Sequence, residues 1–366
     1  MDAPIDIYFN GRFLTQPLTG VQRFAREVMR AMDQMIDRGE IDCSSYRFVC
    51  LAPPHTREDQ NWKWITLRRV GVLNGNVWEQ YELPRHTGRN LLVNLCSIGP
   101  LIKPAQAVTI HDTAVFAIPQ AYTLPFRLKY RLNISVLSAR SPLIFTVSQF
   151  SKTELVRYVR ISPEKIHVLP EGCEHILAVT PDATVFERFS IGQNPYFLIV
   201  SSKSSHKNLS GVIQATRLLG EVGIKFVVVG GKYSKVFKSE DYELPPWVEQ
   251  VGVLDDAELA ALYRGAMGLI FPSLYEGFGL PPLEAMACGC PVIASRAASL
   301  PEVCGDAVLY CDPCDPADIA RQIQRLIDDP TLREDLRQAG LRQASRFSWT
   351  ETARQMWEKV ETLTKE

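Results

Sequence analysis

The sequence predicts an α/β protein built from two consecutive doubly wound domains, each a parallel sheet with helices on both faces. Three observations lead there. Short apolar runs alternate with helix-like segments along the whole chain, the runs fall into two series, and 366 residues suit two or three domains of ordinary size.

The first series covers residues 5–9, 48–51, 91–95, 108–110, 143–147 and 166–169, and the second covers 196–200, 226–229, 251–253, 269–271 and 292–294. Runs this short and this continuously apolar are what strands buried on both faces look like, and helical segments between them give the β/α alternation of a parallel sheet. Between the two series, residues 174–193 have weak periodicity, with Pro181 and Asp182 ahead of a polar stretch, which puts a linker near residue 180. The expected division is therefore 1–180, 181–348 and a closing helix 349–366. Open sheets of this kind take ligands beyond the carboxyl ends of their strands, so function is expected in loops there, in a cleft between two facing sheets.

Composition narrows the class. A chain that is 46% hydrophobic and 22% charged is an ordinary soluble globular protein, and a net charge of −1 offers no bulk attraction for nucleic acid. The opening MDAPIDIYFNGR lacks the basic-then-apolar pattern of a signal peptide, and no apolar run reaches the roughly 18 residues of a membrane span. A cytoplasmic location is expected. Nine cysteines is an odd number for a disulfide framework, and the C-x2-C of Cys311 and Cys314 has no second Cys or His pair, so these residues read as reduced thiols.

The most informative stretch is EGFGLPPLEAMACGCPVIAS, residues 276–295. Glu276 falls on a strand-to-helix loop, and Glu284 lies one turn into the helix that follows. Gly277 and Gly279 let the main chain approach a ligand, while Pro281 and Pro282 suit a first helical turn, where a missing N–H costs little. A helix starting near Leu280, after Phe278 and Gly279, aims free amides at an anion. Glu284 suits the two hydroxyls of a ribose diol, and Glu276 those of a second polyol. A phosphate between two polyols describes a nucleotide sugar. An isolated pair of glutamates is more often a solvated loop acid and a helix-dipole acid; the Gly/Pro embedding between buried runs favours the site.

Other segments offer chemistry of their own. Residues 10–32, NGRFLTQPLTGVQRFAREVMRAM, run from strand through loop to helix, with Thr19 and Gln22 expected to form a capping box and Val21, Phe24, Ala25, Val28, Met29 and Met32 forming one apolar stripe. Gly20 then presents its N–H to an anion, as any helix start does. In IVSSKSSHKNLSGVI, residues 199–213, a buried run ends in a serine-rich loop holding Ser202, Lys203 and Lys207 before a helix beginning near Asn208. His111 and Asp112 follow the run 108–110. Ser148, Gln149 and Ser151 read as a helix cap. Arg127, Lys129 and Arg131 alternate with Leu128, Tyr130 and Leu132 on a helix, read as a solvated basic face in preference to a contact for an anionic lipid-linked acceptor or a membrane surface.

Together these stretches resemble the retaining glycosyltransferases of family 4, which have the GT-B fold, two Rossmann-like doubly wound domains facing each other across a cleft. The resemblance is carried by T-G-V-Q-R-F-A-R-E (19–27), H-D-x-x-x-F-x-x-P (111–119), K-N-L (207–209), the E-x7-E corner with its FGLP insert and following G-x-P-V-I-A-S, and the closing F-S-W (347–349). It implies that Lys207 meets the donor phosphate, that His111 approaches the hydroxyl edge of the transferred sugar, and that Glu276 faces that sugar and stabilises developing positive charge. It implies donor-binding roles for Gly20, Ser202, Lys203, Phe278, Gly279, Leu280 and Glu284, with Val253 and Leu254 near the base. Asp112 and Arg23 are placed on the acceptor side, and Arg12 beside Arg23 as a phosphate or acceptor contact. Many members carry glycine followed by arginine or threonine where this chain has Ser201 and Ser202, so Lys207, helped by Lys203, carries more of the charge neutralisation.

No D-x-D triplet occurs, so the usual carboxylate pair that holds a metal on a diphosphate is missing and no metal or cofactor is expected. The expected function is retaining transfer of a hexosyl or deoxyhexosyl group from a nucleotide diphosphate sugar, GDP-mannose ahead of UDP-glucose, to a hydroxyl of a glycan or lipid-linked acceptor in polysaccharide biosynthesis. Peripheral association with the inner membrane face fits such an acceptor. The alternatives are a GT-B sugar-nucleotide epimerase or phosphorylase and a non-catalytic nucleotide-sugar-binding subunit. An epimerase needs acid and base groups converging on the sugar, and a phosphorylase a pyridoxal-phosphate lysine; neither is apparent, while Ser201 and Ser202 keep the binding subunit in view.

Overall fold

The computed structural model describes residues 4–57, 60–191, 194–201, 204–231 and 243–365. They divide into two compact units. Unit 1 holds the described residues up to Thr113, Leu128–Glu171 and those from Trp349 onward, and unit 2 holds Ala114–Arg127 and Gly172–Ser348. The stretch read as a linker is not one. Residues Glu174–Leu177 and Thr184–Arg188 are short helices that pack on the helix Asp256–Gly265 of unit 2, with Ile176 and Val185 fully buried. Helices of one turn are too short to display a period, which is why the sequence there looks featureless.

Unit 1 is built on seven parallel strands: β1 (Ile5–Asn10), β2 (Tyr46–Ala52), β3 (Thr66–Arg69), β4 (Leu91–Asn94), β5 (Gln106–Thr109), β6 (Leu143–Thr146) and β7 (Ile166–Val168). Their order is β3-β2-β1-β4-β5-β6-β7, with Ile7 opposite Phe48 on one side and Leu91 on the other. Unit 2 has six: β8 (Tyr196–Val200), β9 (Lys225–Val229), β10 (Val248–Gly252), β11 (Gly268–Phe271), β12 (Val292–Ser295) and β13 (Leu309–Cys311), ordered β10-β9-β8-β11-β12-β13. The central strands are mostly apolar and mostly buried, as strands covered by helices on both faces are, with Asn10, Asn94 and Gln106 as buried polar residues at strand ends in unit 1. Each sheet reverses its winding once, between β1 and β4 and between β8 and β11, and such a reversal leaves a crevice at the carboxyl ends of the two strands.

The helix Gly20–Asp37 buries the stripe Phe24, Ala25, Val28, Met29 and Met32 in unit 1, but the capping box is absent. Thr19 makes no side-chain cap to the helix amides; its hydroxyl donates instead to the Gln22 side-chain oxygen. The last helix, Trp349–Lys365, packs against Gly20–Asp37, and Trp349 meets Phe24 edge to face at 5.9 Å. Further along it, the Trp357 ring stands edge-on to Tyr46 at 4.9 Å and to Phe48 at 5.2 Å, joining this helix to the sheet through β2.

Trp357 is 6% exposed and fills the space between that helix and β2. Replacing it with alanine removes a large buried ring and leaves a cavity, a loss of about 3–5 kcal/mol. Urea unfolding followed by far-UV circular dichroism should show the unit 1 transition of Trp357→Ala at clearly lower denaturant. An unchanged midpoint would mean the closing helix adds little to unit 1.

Candidate active site

At the reversal of unit 2 the loop after β8 meets the loop after β11. Asn208 caps the helix Leu209–Leu219 from the left-handed region (φ 57°), and its amide donates to the carbonyls of Pro272 at 3.3 Å and Pro313 at 2.7 Å. The Leu274 amide donates to the His206 carbonyl at 2.8 Å. These bonds bring Lys207 and Glu276 together. The Lys207 ammonium lies 2.7 Å from Glu276 Oε1 and 5.0 Å from the centre of the Phe271 ring, with the paired side chains 19% and 13% exposed. Ser202 and Lys203, expected to assist here, lie outside the described residues; Ser201 is buried at the end of β8, its amide bonded to Val229.

The rest of the E-x7-E corner is fixed by its own side chains. Gly279 has φ +110°, and a Cβ there would stand 2.6 Å from Leu300 Cδ2, so both conformation and space call for glycine. The Ser299 hydroxyl donates to the carbonyls of Glu276, at 3.0 Å, and Phe278, at 2.7 Å. The helix Leu280–Ala287 starts directly after Gly279, with both prolines in its first turn. Phe278 contributes main chain only: its ring is buried edge-on against Phe347 at 5.7 Å. Glu284 is 7% exposed, deeper than a solvated first-turn acid, and both of its oxygens have protein partners, His175 Nε2 at 2.9 Å and the Tyr263 hydroxyl at 3.0 Å. Neither partner carries a signal in the sequence. Val253 is exposed and Leu254 half-buried in the loop after β10, with Val253 Cγ2 beside Gly231 at the end of β9.

The unit 1 residues gather at its own strand ends. Gly20 is exposed, with open space beyond its own helix and chain neighbours where a Cβ would sit. His111 is 5% exposed: Nε2 donates to the Leu95 carbonyl at 2.9 Å, Nδ1 faces Glu171 at 3.8 Å, and the ring meets Phe24 edge-on at 4.9 Å. Asp112 follows it, half-buried. Arg23 pairs with Glu27 at 3.4 Å. Arg12 pairs with Glu79 at 2.7 Å, and Glu79 continues into a buried chain through Asn10 and Asn94 to Gln106. The helix Leu124–Arg140 is inverted relative to expectation. Leu124, Leu128 and Leu132 are 55%, 58% and 58% exposed, whereas Arg127, Lys129 and Arg131 are half-buried, so the basic residues are not the solvated face. Burial lowers the Lys129 pKa, with the Arg12 charge adding to the effect, and pushes the Tyr130 phenol up to about 12.

One titration follows from the unit 2 loops. Burial lowers the His206 pKa to about 4, against which the Glu276 charge works only in part, and its Nδ1 is 2.6 Å from the Ser204 hydroxyl. The folded protein thus binds this proton less readily than the unfolded chain, whose histidine titrates near 6.5. Stability is unaffected by this group above pH 6.5 and is lost as pH falls from there to about 4, by up to about 3 kcal/mol. Urea midpoints measured between pH 7 and pH 4 should fall less steeply in His206→Asn than in the native protein; parallel curves would refute the assignment.

Residues 183–343 match the family model of glycosyl transferases group 1. The chain is 34% identical over 254 residues to the O-antigen chain mannosyltransferase B of Escherichia coli, covering 66% of each. It is 29% identical over 316 residues to the O-antigen chain mannosyltransferase RfbU of Salmonella typhimurium, covering 81% of this chain and 84% of that one. The match spans just under two thirds of the first relative and less than a third of longer Escherichia coli mannosyltransferases. Among solved structures, Anabaena Alr3699/HepE in complex with UDP-glucose has the same fold, with a TM-score of 0.73 over 98% of this chain and 100% of that one at 16% identity. Two Rossmann-like parallel sheets of the GT-B type account for that likeness. Residues 183–343, most of unit 2, are thus similar to the glycosyl transferases group 1 family.

Proposed function

We propose that the protein is a retaining, metal-independent glycosyltransferase that moves a mannosyl or related hexosyl group from a nucleotide diphosphate sugar to a hydroxyl of a glycan or lipid-linked acceptor in polysaccharide biosynthesis. The observation that carries this reading is the Lys207–Glu276 pair at the reversal of the unit 2 sheet, beside the start of the helix Leu280–Ala287. A lysine and helix amides at one crevice suit a diphosphate, and a carboxylate next to them suits the sugar it carries. GDP-mannose is the first choice of donor because several of the similar proteins are mannosyltransferases. UDP-glucose follows, as the ligand of a protein that shares the fold.

In this reading the acceptor oxygen bonds to C1 on the face from which the diphosphate departs, the C1–O bond to phosphate breaks, and the leaving phosphate takes the acceptor proton. Lys207 and the amides at Leu280 stabilise the departing charge, while Glu276 faces the sugar as positive charge develops on it. Glu284 accepts from the ribose. Unit 1 is the acceptor-side domain, with Gly20, Arg23, His111 and Asp112 at its strand ends. Among the described residues no helix is long and apolar enough to cross a membrane; the exposed leucines 124, 128 and 132, one helical turn apart, support peripheral contact with a lipid surface.

Purified protein should transfer mannose from GDP-mannose to an acceptor glycan, with Lys207→Ala and Glu276→Ala each lowering the rate about a hundredfold to a thousandfold while circular dichroism stays native. Nuclear magnetic resonance of the product should show the donor's anomeric configuration, and EDTA should leave the rate unchanged. Tight nucleotide-sugar binding without transfer to any acceptor would favour the binding subunit instead. Unchanged transfer in both variants would reject the site.

A further inference from the structure

His175 sits in a stretch that the sequence offers as a linker, yet its side chain is 1% exposed and its Nε2 reaches Glu284 Oε1 at 2.9 Å. The other carboxylate oxygen, Oε2, accepts from the Tyr263 hydroxyl at 3.0 Å. Tyr263 is fully buried, and burial raises its pKa well above that of a free phenol, so it serves only as a donor there. The short helix Glu174–Leu177, which carries His175, packs against both the helix Asp256–Gly265, which carries Tyr263, and the helix Leu280–Ala287, which carries Glu284. Three segments distant in sequence converge on one carboxylate within unit 2.

We infer that His175 and Tyr263 are positioning residues that hold Glu284 as a preset two-oxygen acceptor and so make the site selective for ribose over 2′-deoxyribose. The inference rests on the reading of Glu284 as the ribose contact. A carboxylate has about four acceptor positions, two on each oxygen. One donor on each oxygen uses half of them, stops rotation about the terminal torsion, and leaves one acceptor position on each oxygen for a vicinal diol. Because the group is held before the ligand arrives, the ligand meets no further ordering cost. A 2′-deoxyribose brings only one of the two hydroxyls and leaves a buried acceptor unpaired, which is how a polar site rejects an analogue lacking a hydroxyl.

Binding of GDP and UDP, each against its 2′-deoxy counterpart, is the test, measured by isothermal titration calorimetry on the native protein and on Glu284→Ala, His175→Leu, His175→Gln and Tyr263→Phe. The native protein should prefer the ribonucleotide roughly tenfold or more, the worth of a hydrogen bond to a charged group. Glu284→Ala should erase that preference, and His175→Leu and Tyr263→Phe should each reduce it severalfold. His175→Gln should retain it, since its side-chain amide places an N–H near the position of the imidazole Nε2. A native protein with no preference, or Glu284→Ala with the preference intact, would overturn the reading of Glu284 and this inference with it. If Glu284→Ala loses the preference while His175→Leu and Tyr263→Phe keep it, or weaken both nucleotides equally, the positioning role alone falls. Should His175→Leu fail to fold, Tyr263→Phe decides by the same criterion.

Discussion

The reversal of winding in each parallel sheet is the constraint from which the rest follows. Where neighbouring strands send their connections to opposite faces, their carboxyl ends open into a crevice that neither connection fills, and the main chain there must find partners among side chains. Unit 2 meets that demand with Asn208 on two proline carbonyls, Ser299 on the carbonyls of Glu276 and Phe278, and Ser295 on that of Ser273. The loops that carry Lys207 and Glu276 are thereby fixed by short, buried polar residues, and the charged pair stands on a rigid base.

Unit 1 has the same reversal and treats it differently. Between β1 and β4 the side chains of Asn10 and Asn94 bond to each other at 3.0 Å, and the chain extends to Glu79 and Gln106, all of them buried. There Arg12 is paired with Glu79, whose side chain is only 3% exposed. That crevice is lined by a buried polar network in which the charges of Arg12 and Glu79 offset each other. In unit 2 the corresponding cation is a lysine whose partner keeps more exposure, and the neighbouring helix start adds amides of the same sign. Equal topology, with unequal closure, favours unit 2 for the anion binding proposed above.

Most of the architecture is legible in the chain because strands buried on both faces leave continuous apolar runs. Tyr196–Val200 is read to the residue, and the other central strands to within three residues at either end. Two strands escape. β3 is a polar edge strand, Thr66–Arg69, with no buried residue, and β13 is only three residues long, within the short apolar run 307–311 that is not read as a strand. The site is legible where its members are local in sequence: Glu276, Gly279, Leu280 and Glu284 announce themselves by spacing and by glycine and proline chemistry. It is opaque where a partner arrives from elsewhere. Nothing near His175 or Tyr263 says that they meet Glu284, separated from it by 109 and 21 positions. The same limit explains the helix Leu124–Arg140, where alternation of leucine and basic residues does not say which set faces inward.

The two glutamates that look alike in sequence end in unlike environments, and the difference is one of exchangeability. Glu276 is paired with a lysine, a compact charge on a flexible stem that keeps 19% of its side-chain surface exposed. On the proposed function, an arriving diphosphate competes for that ammonium directly, because it offers charge of the same sign and more acceptor atoms, and in doing so it leaves the Glu276 carboxylate facing the sugar. Glu284 is paired with an imidazole and a phenol anchored in buried helices, 1% exposed in the case of the His175 side chain, and no anion reaches them to exchange. On that proposal one acid changes partner when a donor binds and the other does not. A carboxylate that stabilises charge developing during a reaction must respond to the ligand, whereas one that reads a fixed diol must not.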